Sequence, residues 1–499
     1  MPLDQVLLIG SAILLVSVLA ARLSRFGLPA LLIFLGLGVA VGEVGRQFPN
    51  LGLTFSDVGL ARSLGFAALV LILAEGGFTT RWSEIRKALP VAILLATVGV
   101  VVSVAAVAAF AYLVLGLDLG MAVLLGAIIS PTDSAAVFSV LRKVPLPARV
   151  RGVLEAESGF NDAPIVALVA AATEFVLGEG MDEGPVMLVV RTAGELAGGV
   201  IFGVVVGWIG VQVMRRVALP ASGLYPLGAL GWVVLAYAGG TMIQLSGFAA
   251  VYVAAVVLGN GHLPHRNAIR SFVEGTGWVA QIGLFVMLGM VADNLRMSLR
   301  AAIGGVLVGA FLTFVARPLS VAACASWFKI PWRPQAFISW AGLRGAVPII
   351  MATVPLASGV PYALELFDMV FVLVVVFTIL QGPTLPLAAR LFRVSAGAEA
   401  TDVEYEFAPL DNIKADMLQV HVSEGSKLNG VRVREIRLPR NSVISLIIRS
   451  DEPFTPAPDD PIKIGDDLLV VTSAADRNRV EQRFNSLSRY GRLARWREG

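Results

Sequence analysis

The chain of 499 residues has one cysteine, three histidines and few charges for its length: 15% Asp, Glu, Lys and Arg against 56% hydrophobic residues, with a mean hydropathy of +0.78. Each shortage excludes something. A single Cys324 leaves no internal disulfide and no cysteine cluster for a metal, and reads as a small apolar helix residue. His262, His265 and His421 fall in a loop and in the C-terminal tail, which argues against a histidine-based intramembrane metal centre or a serine-protease triad. Neither a His-Glu-x-x-His nor a Gly-x-Ser-Gly motif occurs, so membrane-embedded hydrolysis lacks its residues and the chain is not read as an enzyme. The Thr-Val-Gly-Tyr-Gly filter of a potassium channel is missing too. A formal net charge of +3, with basic residues scattered along loops, offers no surface for nucleic acid.

What the chain has in abundance is hydrophobic length. The last 99 residues hold 31 of the 75 charged side chains, leaving 44 for the first 400. The chain therefore divides into a long hydrophobic body and a short soluble tail. Apolar stretches of about 18 to 25 residues predict thirteen transmembrane helices. Their centres lie near Leu14, Gly36, Val70, Val101, Ala127, Pro164, Phe202, Leu235, Ala254, Phe285, Leu307, Val347 and Val376. The first has no Lys or Arg before it, while Arg22 and Arg25 follow, a pattern of a retained helix rather than a secretory signal. Of the 24 Lys and Arg in the first 400 residues, seventeen fall on one side of the predicted membrane and five on the other, with Arg317 and Arg344 inside the hydrocarbon. This asymmetry predicts an outside N-terminus and a cytoplasmic tail.

Ionisable residues at mid-membrane depth are costly, so each is a functional candidate, with a helix-locking pair as the alternative. The fifth predicted helix carries Ser130-Pro131-Thr132-Asp133-Ser134 at its centre. Proline frees the carbonyl four residues back and disfavours helix in the residue before it, so the backbone is expected to unwind here. Asp133 can then offset the positive end of a half-helix or hold a cation. In the sixth helix, Glu155-Ala-Glu157-Ser158-Gly-Phe-Asn161-Asp162 puts three acids and two neutral polar groups within about two turns. Helical spacing aligns Glu157 with Asn161 and Ser158 with Asp162, presenting carboxylate and hydroxyl oxygens on one face, suited to a hard monovalent cation. Burial of Asp162 favours its neutral form, which lets a proton compete with a metal ion for the same oxygens. Competition at one carboxylate is the minimal exchange mechanism; a satisfied core network is the alternative.

Glu157 and Arg317 each lie about six residues, roughly 9 Å, from the predicted cytoplasmic ends of helices six and eleven. They are expected to pair and fix the site, with Arg344 as the other possible mate of Glu157. Gly342-Leu343-Arg344-Gly345-Ala346-Val347-Pro348 interrupts the twelfth helix. If helices one to six and eight to thirteen are repeats of opposite orientation, the fifth member of each is the broken one, which is the pointer to a transporter site where unwound helices cross. Arg344 would neutralise carbonyl-rich helix ends there. Glu75 sits near a helix end and is given no transport role.

Thr132-Asp133, Glu157-Ser158-x-x-Asn161-Asp162, Ala316-Arg317 and Gly342-Leu343-Arg344-Gly345 together resemble the NhaP-type branch of the monovalent cation/proton antiporters, over about the first 395 residues. The resemblance implies thirteen helices, a dimerisation domain and a mobile core domain, and exchange of Na⁺ or K⁺ for H⁺ by an elevator-like movement. It implies Asp162 as the principal cation and proton carboxylate, with Asp133, Ser158 and the Thr132 backbone at the ion site and Asn161 organising the crossing. Asn161-Asp162, in place of paired aspartates, resembles the electroneutral one-for-one members. Many sodium exchangers of this branch have proline after the Thr-Asp pair, where this chain has Ser134-Ala135-Ala136-Val137-Phe138. That form, with the tail, is similar to the cell-volume-regulation type of potassium/proton antiporter and weakens sodium as the ion.

The expected fold is an all-α polytopic membrane domain over residues 1–395, with inverted repeats and two interrupted crossing helices, a linker over 396–416, a small α+β cytoplasmic domain over 417–490, and a basic tail over 491–499. In the cytoplasmic part, Met417–Val422, Asn441–Ile448 and Asp467–Thr472 read as strands and Asp476–Leu487 as a helix. Gly425-Ser426-x-Leu428-x-Gly430 and Lys463-x-Gly465-Asp466-x-Leu468 resemble the TrkA-C regulatory domain of potassium-transport and channel proteins, which implies dimerisation and a nucleotide or ion ligand with no assignable residues. A ligand-free assembly module is the alternative. No cofactor is required. The function expected is homodimeric exchange of K⁺, in preference to Na⁺, for H⁺ across a bacterial inner membrane; the alternative is a regulated cation channel.

Overall fold

The computed structural model describes residues 3–20, 30–48, 55, 57–80, 82–133, 137, 146–178, 185–217, 219–261, 263–293, 298–394, 404–410, 415–422, 426–449, 452–473 and 476–491. The chain forms two compact units, Met1–Ser395 and Ala396–Gly499. Ser134 to Ala136, Phe138, His262, Gly425 and the basic segment 492–499 lie outside the described residues.

The first unit is helical: α1 Leu3–Ala20, α2 Ala30–Gln47, α3 Val58–Thr79, α4 Leu89–Leu115, α5 Leu119–Ile129, α6 Ala148–Leu177, α7 Pro185–Arg216, α8 Leu224–Met242, α9 Gly247–Asn260, α10 Arg266–Asp293, α11 Leu299–Phe328, α12 Trp332–Trp340, α13 Ala346–Ala357 and α14 Ala363–Leu391. Among the described residues nine helices are long and apolar enough to cross a membrane. Four of the thirteen predicted spans correspond instead to shorter apolar stretches: Leu8–Leu19 within α1, and the helices Leu119–Ile129, Gly247–Asn260 and Ala346–Ala357. Eleven residues of α helix reach only about 17 Å, well short of a hydrocarbon core of about 30 Å. The causes are local. Pro131 follows the end of α5, Gly342 to Gly345 separate α12 from α13, and Ser246 caps the start of α9 by accepting a hydrogen bond from the Ala249 amide.

Two helices are locally unwound without being broken. Leu95–Gly99 in α4 and Leu312–Ala316 in α11 are single π turns, and the second leads directly into Arg317. The α4 turn presents the Gly99 carbonyl to Ser320 Oγ on α11 at 2.8 Å, so the wider ring gains a side-chain donor. Close approach of α2 to α10 depends on Gly38 and Gly289, where a Cβ would collide with the opposing backbone.

The second unit is a five-stranded antiparallel sheet in the order β1-β2-β5-β3-β4, with β1 Glu404–Leu410, β2 Ala415–His421, β3 Ser442–Arg449, β4 Glu452–Phe454 and β5 Asp467–Ser473. Helix α15 Val433–Ile436 is a single turn, and α16 Arg477–Tyr490 buries Val480, Phe484 and Leu487 against Leu418, Val420 and Leu468. The strand readings over 417–422, 441–448 and 467–472 and the helix from 476 correspond to β2, β3, β5 and α16. Residues 404–410, expected within the linker, instead form β1, paired with β2 along its whole length. Its Glu-Tyr-Glu-Phe sequence does alternate with period two, but the acidic composition hides it. A bulge between Ile444 and Leu446 adjusts β3 to β5.

Candidate ion site at two helix breaks

The site begins where α5 stops. Residues Ser130, Pro131, Thr132 and Asp133 have left the helix, and the Asp133 amide donates to the Leu343 carbonyl at 2.8 Å. Leu343 belongs to the other break, between α12 and α13, so the two unwound segments touch through their backbones. This hydrogen bond satisfies groups that the lost helical turns leave open in an apolar setting. The Asp133 carboxylate lies against Gly345 at the N-terminus of α13, where any Cβ would collide with it. A negative charge there offsets the positive end of the half-helix. Arg344 answers the opposite end: its Nη1 donates to the Gly342 carbonyl at 3.1 Å, and its own carbonyl accepts from Thr378 Oγ1 on α14 at 3.0 Å.

Helix α6 runs beside the crossing and is continuous through Pro164, whose missing N–H leaves the Phe160 carbonyl without its helical donor near Asp162. Asn161 Nδ2 donates to Thr132 Oγ1 at 2.9 Å, tying α6 to the first break. Asn161 and Asp162 are both buried, and the Oδ1 of each has no hydrogen-bond partner among the described residues. Asp133 stands near enough for its charge to act on Asp162. Ser158, half-buried one turn earlier on the Asp162 stripe, takes part in an interaction of its own. The donor set offered to a cation is thus all oxygen: carboxylate, hydroxyl and unwound backbone. Among the described residues no three His, Cys, Asp or Glu side chains gather as a metal centre.

Glu157, one turn towards the N-terminus of α6 from Asn161, meets Arg317 of α11 in a bidentate pair, Nη1 to Oε1 at 2.5 Å and Nη2 to Oε2 at 2.8 Å, with both side chains buried. Arg317 also abuts Gly342, where a Cβ would stand 2.8 Å from Nε. The pair therefore joins α6, α11 and the second break. Arg344, the other candidate mate for Glu157, is directed to the Gly342 carbonyl instead.

Residues 11–391 match the sodium/hydrogen exchanger transmembrane family, and residues 417–485 match the TrkA-C domain. The chain belongs to the sodium/hydrogen exchanger family. It is 34% identical over 488 residues to a K⁺/H⁺ antiporter NhaP of Alkalimonas amylolytica, covering 95% of this chain and 82% of the relative. It is 31% identical over 497 residues to a K⁺/H⁺ antiporter NhaP2 of Shewanella oneidensis, covering 99% and 86% respectively. The sodium proton antiporter MjNhaP1 of Methanocaldococcus jannaschii, solved at pH 8, shares the fold with a TM-score of 0.64 at 22% identity, covering 77% of this chain and all of that one.

All eight sequence-selected residues of the exchanger, Thr132, Asp133, Glu157, Ser158, Asn161, Asp162, Arg317 and Arg344, lie on α6, on α11 or at the two breaks. Three further residues stand beside them. Thr378 and Gly345 shape the second break, and nothing in their residue types marks them. Glu75, near the C-terminal end of α3 as the sequence indicates, accepts from Gln281 Nε2 on α10 at 3.2 Å, and its charge reaches Asp133. Its residue type there does not reveal the neutral Gln281 as its partner.

Proposed function

We propose that this cation/proton antiporter exchanges K⁺, in preference to Na⁺, for H⁺ in electroneutral one-for-one turnovers. The carrier is Asp162, and the observation that carries the reading is its buried Oδ1, unpartnered among the described residues, beside an Asn161 that is tied to the first helix break. A carboxylate so placed has two ways to be satisfied, a proton or a cation, and the two exclude each other. If the empty charged site crosses poorly, each passage of a cation must be answered by a proton returning. Asp133, Ser158 and Thr132 add oxygens, Asn161 holds the crossing, Glu157–Arg317 keeps α6 against α11, and Arg344 quiets the carbonyl ends.

Several features extend this reading. The four shorter apolar helices count as spans alongside the nine long ones, giving thirteen, with one to six and eight to thirteen as inverted halves about the seventh, the N-terminus outside and the TrkA-C domain in the cytoplasm. A π turn in the fourth member of each half, α4 and α11, agrees with that arrangement. The chain acts as a homodimer in a bacterial inner membrane, moving its core by an elevator-like step, and the TrkA-C domain regulates it through a nucleotide or ion ligand. A channel reading lacks support at the breaks, where side chains and crossed backbones close on one another rather than line a continuous filter.

Proteoliposomes with an imposed pH gradient test the proposal. Addition of K⁺ should collapse the gradient, with Na⁺ less effective and no net charge moved. Asp162→Asn should abolish exchange while leaving a folded protein. Coupled exchange by that variant, or K⁺ flux without opposing proton movement, refutes the carrier role.

A further inference from the structure

Far along α11 and α14 from the helix breaks, a cavity of about 370 Å³ opens where those two helices begin and α4 ends. Its walls are apolar, including Leu115, Ile303, Leu307 and Met369, and its polar margin carries one charge of each sign, Arg300 and Glu365. Among the described residues neither of the two forms an ion pair or a hydrogen bond, with each other or with anything else. Arg300 is exposed and Glu365 half-buried, so the cavity presents one cationic and one anionic group, not paired with each other.

The surroundings narrow what can satisfy them. The C-terminal end of α4 and the N-terminal ends of α11 and α14 lie together at one boundary of the membrane unit, and the flanking Leu113, Leu299 and Ile303 are strongly exposed apolar side chains. A water-soluble zwitterion would use the charges and ignore the walls. A hydrocarbon chain alone would use the walls and leave the charges bare. The geometry points to a binding site for one zwitterionic phospholipid with a primary ammonium headgroup, its phosphate on Arg300, its ammonium on Glu365, and an acyl chain along Ile303, Leu307 and Met369. Guanidinium and phosphate match in shape and charge. A primary ammonium can donate hydrogen bonds to Glu365, which a trimethylated headgroup cannot.

The lipid would sit over the contact that sets the spacing of α11 and α14. Gly304 and Gly305 let α11 press against Met369, with a Cβ at Gly304 standing 3.0 Å from the Met369 methyl. The same two helices carry Arg317 and Thr378 at the breaks, so a wedge here fixes the distance between two supports of the ion site. The site depends on the chain spanning a membrane and not on which cation is exchanged.

The test is lipid retention by the purified, delipidated full-length protein, read by native mass spectrometry and by thermal unfolding. Phosphatidylethanolamine, phosphatidylcholine and phosphatidylglycerol with identical acyl chains serve as probes, beside chainless glycerophosphoethanolamine. Wild type should retain phosphatidylethanolamine at least tenfold better than the other two lipids and rise in melting temperature with it. Arg300→Gln and Glu365→Gln should each lose that preference, and Glu365→Lys should transfer it to phosphatidylglycerol. Ile303→Trp, which fills the cavity and keeps both charges, should reduce retention of all three. Equal retention of phosphatidylethanolamine and phosphatidylglycerol by wild type overturns the inference. So do an unchanged profile in both Gln variants and chainless headgroup binding as well as the lipid. Because no outcome is read from transport, failure here leaves the exchange reading untouched.

Discussion

Among the described residues, Arg317–Glu157 in the membrane unit and Arg449–Asp466 in the tail are both bidentate arginine–carboxylate pairs, and the two are finished differently. In the membrane unit, Arg317 and Glu157 are 5% and 3% exposed, they satisfy each other through both Nη atoms, and Arg317 Nε has no acceptor among the described residues. In the tail, Asp466 is fully buried but Arg449 is 29% exposed. Arg449 uses Nε and Nη2 on Asp466 at 2.8 Å each and reaches the Pro461 carbonyl, while the Lys463 amide donates to Asp466. Its hydrogen bonds to Asp466 hold the Arg449 guanidinium above its ordinary range. Backbone groups complete the tail pair and Arg449 remains open to solvent, so it fastens one turn of one domain. Among the described residues the membrane pair has no further hydrogen-bond partner, and it stands between three chain segments. A buried pair costs desolvation wherever it is, but only where each member has no substitute partner does losing one strand the other.

The sharpest way to break this contrast is to remove one member from each side. Arg317→Ala leaves Glu157 charged and buried, and should cost about 3–5 kcal/mol, seen as a marked fall in melting temperature of the detergent-solubilised protein. The double variant Glu157→Gln/Arg317→Ala should recover much of that loss, since no bare charge remains. An unchanged melting temperature together with lost transport would move Arg317 from support to the ion pathway. In the tail, Asp466→Ala strands one backbone amide and an arginine that can turn to water. A smaller cost is expected, about 1–3 kcal/mol, visible as faster hydrogen exchange over residues 417–490 and not in the helices. If the tail variant proves the costlier of the two, access to water is not what separates the pairs.

Gly345→Ala probes the crossing that the membrane pair supports. Its Cβ would collide with the Asp133 carboxylate, so that carboxylate must leave the α13 terminus. A roughly tenfold loss of exchange is expected, which is about 1.4 kcal/mol on the rate-limiting barrier. Gly36→Ala in α2 has nothing near its added methyl and serves as the control, with exchange unchanged.

Legibility in the sequence follows the same division. The break at Ser130-Pro131 is readable because proline acts on its nearest backbone, and Glu157–Arg317 is readable because depth in a membrane can be counted along a helix at 1.5 Å per residue. The order β1-β2-β5-β3-β4 is not, since it depends on pairings between distant strands that no local pattern encodes. The π turn at Leu312–Ala316 is equally silent, because a widened helical ring leaves no mark in residue types that suit an ordinary helix. Glu75 shows a third case. Its partner Gln281 is neutral and 206 residues away, so a search for opposite charges passes over it. Where function rests on a charge meeting its opposite, the sequence speaks; where it rests on backbone geometry or a neutral amide, only the folded chain does.

The smallest effect is expected at a third pair, which sets the lower end of the scale. His421 Nδ1 and Asp467 Oδ1 face each other at 2.8 Å across β2 and β5, in register, with side chains 44% and 28% exposed. Both can hydrate without moving, so His421→Ala should change tail stability by less than about 1 kcal/mol. Salt separates this case from its neighbour Asp466. At 1 M salt the screening length falls to about 3 Å, and the difference between His421→Ala and wild type should vanish, while the loss in Asp466→Ala persists because its cause is an unmet buried donor. Hydrogen exchange of the tail at 0.15 M and 1 M salt measures both. Persistence of the His421 effect at high salt would mean that the imidazole contributes packing, and would place this pair with the buried ones.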